Sequence, residues 1–147
     1  MAQAIPILSV QQLQIEVNGM PLVKNINFEI QAGEIFALVG ESGSGKSLTA
    51  LAIMRLLPEN LEVRSGQIHL NQQSIFGLPE HQMQRVRGKQ VAMIFQEPMT
   101  SLNPVMTVGE QVAEVLRVHL RMKSTAARNK VISLFEEVGI PEASARY

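Results

Sequence analysis

Apolar and polar residues alternate near the start of the chain, in the pattern of a half-buried sheet. Leu13, Ile15 and Val17 occupy alternate positions, which places them on one face of a strand. The Asn-Gly pair at 18–19 is a strong turn signal, and apolar positions resume over residues 22–30. We therefore predict that an antiparallel pair of strands opens the chain.

Two continuous apolar runs follow a different pattern. Residues 35–39 (Ile-Phe-Ala-Leu-Val) and 91–95 (Val-Ala-Met-Ile-Phe) contain no polar position. Such runs are typical of strands that are buried on both faces. Between them, the pattern predicts a connection at 60–66, a short strand at 67–70 and a loop at 71–79.

Helical signals mark the segments beside these strands. Residues 48–57 are rich in Leu, Ala, Ile and Met and predict a helix, which ends before Pro58 because a proline disfavours helical geometry in the residue before it. Residues 80–87 predict a short polar helix. Together with the strands, these segments indicate an α/β fold.

Two further helices are predicted in the last third of the chain. Thr107 and Glu110 have the spacing of a capping box, which predicts a helix start. The second helix begins near Ser124 and ends at Gly139, with Pro141 beyond it. Predicted core positions are Val112, Val115, Leu116 and Leu120 in the first helix and Ala127, Val131, Leu134 and Val138 in the second.

Composition narrows the class of protein. The chain has 147 residues, 46% of them hydrophobic and 18% charged, which is typical of one globular domain. Its formal net charge is zero, so we expect no basic surface for nucleic acid. It has no cysteine, which excludes disulfides and thiolate metal sites within it. No apolar run approaches a membrane span and the start does not resemble a signal peptide, so we expect any membrane role to depend on a partner.

The strongest motif is Gly-Glu-Ser-Gly-Ser-Gly-Lys-Ser at residues 40–47, which matches the phosphate-binding pattern G-x-x-x-x-G-K-[ST]. It lies between a predicted strand and a predicted helix, the context that the pattern requires. Glycines let backbone N–H groups surround phosphate oxygens, and the helix offers its positive end. Lys46 would add a positive charge and the Ser47 hydroxyl would bind Mg²⁺. A chance Gly/Ser turn is the alternative, which this context disfavours.

A second candidate site residue is Gln96, at the end of the second apolar run. An amide oxygen there could bind a metal ion and orient a water molecule beside a phosphate. The alternative is a strand-end glutamine that only satisfies backbone groups. All thirteen acidic residues are Glu, so the chain contains no Asp of the kind with which such proteins usually hold Mg²⁺.

These motifs resemble one known family. GESGSGKS, the preceding LQIEV…LVKNINFEIQAGEIFALVG and the later VAMIFQEPMTSLNPVMTVGEQVAE are similar to the ATP-binding subunits of ABC transporters. QEPMTSLNP is similar to the group that imports oligopeptides, dipeptides, glutathione and nickel. The resemblance implies the N-terminal part of an ABC-type P-loop nucleotide-binding domain. Residues 1–96 would form the antiparallel β start and phosphate-loop core, and residues 97–147 would begin a helical subdomain.

The resemblance also assigns ligands and partners. The residues that it implies around the phosphates of ATP are Gly40, Ser42, Gly43, Ser44, Gly45, Lys46 and Ser47. Ser47 and Gln96 would reach Mg²⁺, and Gln96 the attacking water. Residues near 97–123 would face the membrane subunits, and a second ATPase subunit would complete the site head to tail. The resemblance thus implies a peripheral location on the cytoplasmic face of the inner membrane.

The sequence departs from the family in two respects. Val17 occupies the approximate place of an aromatic ring that stacks on adenine in many relatives. The chain also stops before the expected glycine signature and the second Mg²⁺-binding strand.

Two hypotheses follow: an ATPase subunit that powers import of peptides or similar solutes, or a fragment that binds nucleotide or docks without hydrolysis. The fragment alone is expected to lack ATPase activity and to leave the strands at 35–39 and 91–95 without neighbours. A P-loop kinase or GTPase is disfavoured, because no acceptor-binding or base-specific motif is present.

Overall fold

A computed structural model describes residues 5–96 and 101–147. The chain divides into two compact units, Met1–Gln84 and Arg85–Tyr147. The division predicted from the sequence, with a β subdomain and phosphate-loop core at 1–96 and the start of a helical subdomain at 97–147, stays a prediction. In the described residues, no helix has the length and apolar character needed to cross a membrane. The strands are β1 (Leu8–Val17), β2 (Met20–Ile30), β3 (Leu61–Leu70) and β4 (Gln73–Ser74), and the helices are α1 (Lys46–Met54), α2 (Glu80–Val86), α3 (Val108–Leu120) and α4 (Ser124–Glu137).

The first unit contains an antiparallel sheet in the order β2-β1-β3-β4. The predicted hairpin is confirmed, because Val17 pairs with Met20 across the turn and Leu8 pairs with Ile30 at the far end. Leu13 and Ile15 are fully buried, as their alternation predicts. The central strand β1 therefore carries the core of this unit.

A bulge in β1 determines which residue can lie opposite it on β3. Regular pairing is interrupted between Gln11 and Gln14, and Gln12 adopts a φ of 50°. The side-chain oxygen of Asn27 accepts a hydrogen bond of 2.8 Å from the Gln12 backbone N–H. Gly66, on the strand that faces the bulge, has a φ of 105° and lies directly against the β1 backbone. The bulge thus requires a residue without a side chain at position 66.

The structure corrects the predicted connection at 60–66. Strand β3 begins at Leu61, which pairs with Val17, and Val63 pairs with Ile15. Charged residues and Gly66 interrupt the apolar pattern of this segment, so the local sequence resembles a loop. Pairing with β1 overrides that local preference, as is common for strands.

Helix α1 is confirmed, but it ends at Met54 and not near residue 57. Arg55 adopts a left-handed conformation with a φ of 52°, and its N–H donates to the Ala52 carbonyl. The left-handed conformation of Arg55 therefore ends the helix before it reaches Pro58. The Arg55 guanidinium donates to the carbonyls of Ile75 (3.1 Å) and Leu78 (2.5 Å), which joins the helix end to the segment before α2.

The predictions of strands at 35–39 and 91–95 are wrong for this structure. Residues 35–39 form no strand, and Val91 contributes only a single isolated bridge. Ile35 is 99% exposed and Ile94 is 97% exposed. An extended segment becomes a strand only when a neighbouring strand satisfies its backbone groups. In the described parts of the chain, neither run is paired with such a neighbour.

The second unit contains the helices α3 and α4. Its buried core consists of Ala113, Ala127, Val131, Phe135 and Ala143. Thr107 caps α3 as predicted, since its hydroxyl accepts the Glu110 N–H at 3.2 Å. Gly139, just beyond α4, has a φ of 79°, as expected of a helix stop.

Three of the predicted core positions in these helices are wrong. Val115 and Leu120 on α3 and Val138 after α4 are exposed. Phe135 is buried, although it is not among the predicted core positions. Helix α4 covers only one side of α3, so a second row of apolar residues on α3 stays at the surface.

An ionic cluster ties the end of the described chain to α3. Arg117 donates to Glu110 at 2.5 Å, and the Tyr147 hydroxyl donates to the same carboxylate at 3.1 Å. These two hydrogen bonds lower the pKa of Glu110 from its ordinary value. The guanidinium carbon of Arg128 lies 4.0 Å from the centre of the Tyr147 ring, a cation–π contact.

Candidate phosphate-binding site

The segment before the phosphate loop is held against the sheet by aromatic packing. The rings of Phe36 and Phe28 stack with centroids 4.9 Å apart and an angle of 12° between their planes. Phe28 belongs to β2, so this contact holds residues 35–39 beside the sheet although they form no strand themselves. The segment that leads into the loop at 40–45 is thus in contact with β2 through Phe36.

Lys46 organises the loop itself. Its Nζ donates to the backbone carbonyls of Gly40 at 2.8 Å and Glu41 at 2.6 Å. A third contact, of 3.3 Å, reaches the Ser44 hydroxyl. The side chain thus folds back over residues 40–45 and places a positive charge beside them. Charge-assisted hydrogen bonds of this kind are stronger than neutral ones, so Lys46 both shapes and charges the loop.

Gly45 joins the loop to α1 and to the sheet. It has a φ of 90°, and a Cβ atom added to it would lie 2.6 Å from Cγ2 of Val23 on β2. Its carbonyl accepts hydrogen bonds from the Thr49 N–H at 2.8 Å and the Thr49 hydroxyl at 2.9 Å. Only glycine fits this conformation and this close approach. Val23 and Thr49 are supporting residues that the motif alone does not identify.

No side chain at the first turn of α1 competes with an anion for the N–H groups there. Its N-cap residue, Gly45, offers no side-chain hydrogen bond, and the first turn contains no acidic residue. Helix α3 differs, because Thr107 caps it and Glu110 lies in its first turn. The N-terminal N–H groups of α1 therefore present their partial positive charge to the loop without a competing side chain.

A small cavity of about 140 Å³ lies at this junction, lined by Gly43, Ser44, Gly45, Lys46, Ser47 and Leu48. Larger cavities occur in the same unit, including one of about 470 Å³ beside Arg55. The Arg55 guanidinium there already donates to two backbone carbonyls. The loop is therefore the candidate site because of its hydrogen-bond donors, and not because of the volume of its cavity.

The structure brings together all seven predicted residues of the loop but describes Gln96 separately. Ser42 and Gly43 form an exposed turn, and Ser47 is exposed in the first turn of α1. Gln96 is exposed and belongs to the second unit. Residues 97–100 of the QEPMTSLNP segment lie outside the described residues. The joint role of Ser47 and Gln96 stays a prediction.

The donor set near the loop fits a nucleotide with its own metal ion better than a protein-built metal site. Over residues 5–96 and 101–147, no three His or Glu side chains lie close enough together to hold a metal ion. Mg²⁺ prefers oxygen ligands and commonly binds through one or two protein groups together with substrate phosphates. The exposed Ser47 hydroxyl beside a cationic loop suits that mode.

Comparison with protein families and curated proteins shows which proteins the chain is similar to. The ABC transporter family model matches residues 23–147. The oligopeptide transport ATP-binding protein OppD of Escherichia coli is 43% identical over 98% of this chain and 44% of its own length. The glutathione import ATP-binding protein GsiA of Salmonella choleraesuis is 46% identical over 95% of this chain and 24% of its own length. The chain thus spans less than half of these relatives.

Solved structures give the same fold. An ATP-binding cassette dimer in a post-hydrolysis state with ADP and Pi superposes with a TM-score of 0.79 at 22% identity, over 95% of this chain and 60% of the other. The cbiO1 protein of Clostridium perfringens, part of an ABC transporter complex, gives a TM-score of 0.68 at 23% identity, over 95% of this chain and 53% of the other. With its phosphate loop and the family match over residues 23–147, the chain belongs to the ABC transporter family.

Proposed function

We propose that this chain is the nucleotide-binding part of an ATP-hydrolysing subunit that energises the import of peptides or similar small solutes. The observation that carries the proposal is the loop closed by Lys46 at the uncapped start of α1. Relatives named for oligopeptide, dipeptide and glutathione transport support the class of cargo. ATP is the proposed ligand.

The groups that we propose to hold ATP and its metal ion have separate roles. Backbone N–H groups of the loop bind the phosphate oxygens, and Lys46 adds positive charge beside them. Ser47 and Gln96 are the proposed protein ligands of Mg²⁺, which when bound offsets negative charge on the phosphates. Gln96 also orients the attacking water. Because these 147 residues contain no Asp, we propose that they bind nucleotide without turnover unless other residues complete the site.

The role of Gln96 can be separated from binding by one substitution. In the complete gene product, Gln96→Ala is expected to leave ATP affinity within about two-fold and to lower the rate of hydrolysis about 100-fold, because a lost water-positioning group affects chemistry more than binding. The measurements are ATP binding by calorimetry and phosphate release. Gln90→Ala, at another exposed glutamine of the same unit, is the control. An unchanged rate of hydrolysis in Gln96→Ala would show that Gln96 has no role in the site.

An exposed apolar surface on the second unit is the proposed contact with membrane subunits. We call it the valine surface: Val108, Val115 and Val118 on α3, with Leu102 and Val105 on the loop before it. The three valines recur at spacings of seven and three residues, so they lie on one side of the helix. Exposed apolar side chains grouped on one side of a helix are typical of a protein interface. This contact would hold the subunit peripherally at the cytoplasmic face of the inner membrane, where a second ATPase subunit pairs with it head to tail.

A charge placed in the valine surface tests whether the membrane subunits bind there. Val115→Lys is expected to weaken co-purification with the transporter's membrane subunits at least about 10-fold, because an unpaired charge would have to be desolvated. ATP affinity of the free subunit is expected not to change. Glu114→Lys, at the adjacent exposed and already charged position, is the matched control. Equal co-purification of the two variants would place the membrane contact elsewhere.

A further inference from the structure

A buried threonine near the start of α1 is hydrogen-bonded to the residue that ends the phosphate loop. Thr49 is 1% exposed, and both its backbone N–H (2.8 Å) and its hydroxyl (2.9 Å) donate to the carbonyl oxygen of Gly45. The N–H bond is the ordinary bond of a helix to the residue four positions earlier, whereas the hydroxyl bond is additional. The carbonyl of Gly45 therefore accepts two hydrogen bonds, its full capacity, from one residue.

Gly45 is a residue whose backbone needs such a restraint. Its φ of 90° and ψ of 5° lie outside the helical region, so the helix geometry does not fix them. Glycine also has more backbone freedom than any other residue. A Cβ atom at Gly45 would lie 2.6 Å from Cγ2 of Val23, which is itself 1% exposed. Gly45 is thus restrained by a hydroxyl group of α1 and by a methyl group of β2.

The direction of this carbonyl determines the direction of a neighbouring N–H group. The Gly45 carbonyl and the Lys46 N–H belong to one planar trans peptide group, so they point in opposite directions. Because the carbonyl is directed at Thr49, the Lys46 N–H is directed toward the start of the helix, where the cavity lined by residues 43–48 lies. It is one of the N–H groups that have no partner within a helix and that bind anions. Thr49 therefore orients a donor to a cavity that it does not line.

We propose that Thr49 is a positioning residue whose hydroxyl holds the Gly45–Lys46 peptide group with its N–H directed at the phosphates of ATP. The proposal rests on the proposed function for the identity of the ligand. A donor that is already oriented loses less conformational entropy when the phosphate binds. The alternative is a hydroxyl that only satisfies its own hydrogen bond inside the helix, as Ser and Thr often do. Loss of the hydroxyl would then change folding stability and leave ATP affinity unaltered.

Two substitutions at position 49 separate these roles, because each removes a different part of the side chain. In the complete gene product, Thr49→Val replaces the hydroxyl by a methyl group and leaves the backbone bond to Gly45. Thr49→Ser keeps the hydroxyl and removes a buried methyl group. ATP affinity, measured by calorimetry, is expected to fall about 5-fold in Thr49→Val and to stay within about two-fold in Thr49→Ser, in keeping with the loss of one hydrogen bond. The urea midpoint is expected to be lower in Thr49→Ser, because a buried methyl group is lost there.

The restraint on the peptide group can be measured without ATP. The NMR order parameter of the Lys46 N–H reports its motion on the picosecond to nanosecond timescale. We expect it to decrease in Thr49→Val and to match the unmodified protein in Thr49→Ser. An order parameter that is unchanged in Thr49→Val would overturn the proposal, because the hydroxyl would then not hold the peptide group.

The affinities decide whether Thr49 positions a donor or only stabilises the helix. If ATP affinity falls as much in Thr49→Ser as in Thr49→Val, it follows packing and the proposal is overturned. An unchanged affinity in Thr49→Val would also overturn it. Lys46→Ala, measured beside them, tests the site itself: weaker ATP binding in that variant supports the phosphate site whatever the result for Thr49. If Lys46→Ala also binds ATP normally, the proposed function is contradicted together with the role of Thr49.

Discussion

Replacing Lys46 by alanine is expected to weaken ATP binding at least about 100-fold, because two effects are lost together. The first is the positive charge beside the phosphates. The second is the pair of hydrogen bonds, 2.8 Å to Gly40 and 2.6 Å to Glu41, that keeps the loop closed before any ligand arrives. Calorimetric titration with ATP and Mg²⁺ measures the loss, and circular dichroism confirms that the variant is folded.

The control for this prediction is Lys24→Ala, which removes an exposed lysine of the same unit. Its affinity for ATP is expected to match the unmodified protein, so that net charge alone cannot explain the result. If Lys46→Ala and Lys24→Ala bind ATP with equal affinity, the proposed site is contradicted.

Turnover gives a second prediction: the 147-residue chain is expected to release no more phosphate than its own Lys46→Ala variant. Robust turnover would show that these residues alone suffice for hydrolysis.

Gly66→Ala is expected to have the largest effect on stability, a loss of about 4 kcal/mol or more in the free energy of unfolding. A Cβ atom there would lie 2.6 Å from Cα of Leu13 and 2.7 Å from the carbonyl oxygens of Gln11 and Gln12. These are backbone atoms of the central strand, so no side-chain rotation relieves the overlap. The φ of 105° adds strain for any residue with a side chain.

Urea denaturation of the complete gene product measures this loss. Gly77→Ala is the matched control, because a Cβ at Gly77 meets nothing within 4 Å. Its unfolding free energy is expected to change by no more than about 0.5 kcal/mol. Equal midpoints for the two variants would mean that β1 and β3 can separate at the bulge without cost, contrary to the pairing described.

Several elements are predictable because their signals are local. The hairpin follows from alternation and an Asn-Gly turn, and α3 follows from the capping contact between Thr107 and Glu110. The phosphate loop is the clearest case. Its glycines, Lys46 and the helix start lie within eight consecutive residues, so chain connectivity alone brings them together. The distances within the loop and its contact with Val23 come from the structure.

Other features depend on which segments meet. β3 forms at 61–66 because β1 pairs with it, and the run at 35–39 stays outside the sheet because it lacks a strand neighbour there. Helical spacing identifies apolar positions on α3 but not which side α4 covers. It therefore predicts a core position for Val115, which is exposed. The sequence by itself determined the hairpin, the Thr107 cap and which residues form the loop at 40–47, because each of these involves residues close together in the chain. Tertiary structure decided the strand partners and the buried side of α3, because these depend on residues that meet only after folding.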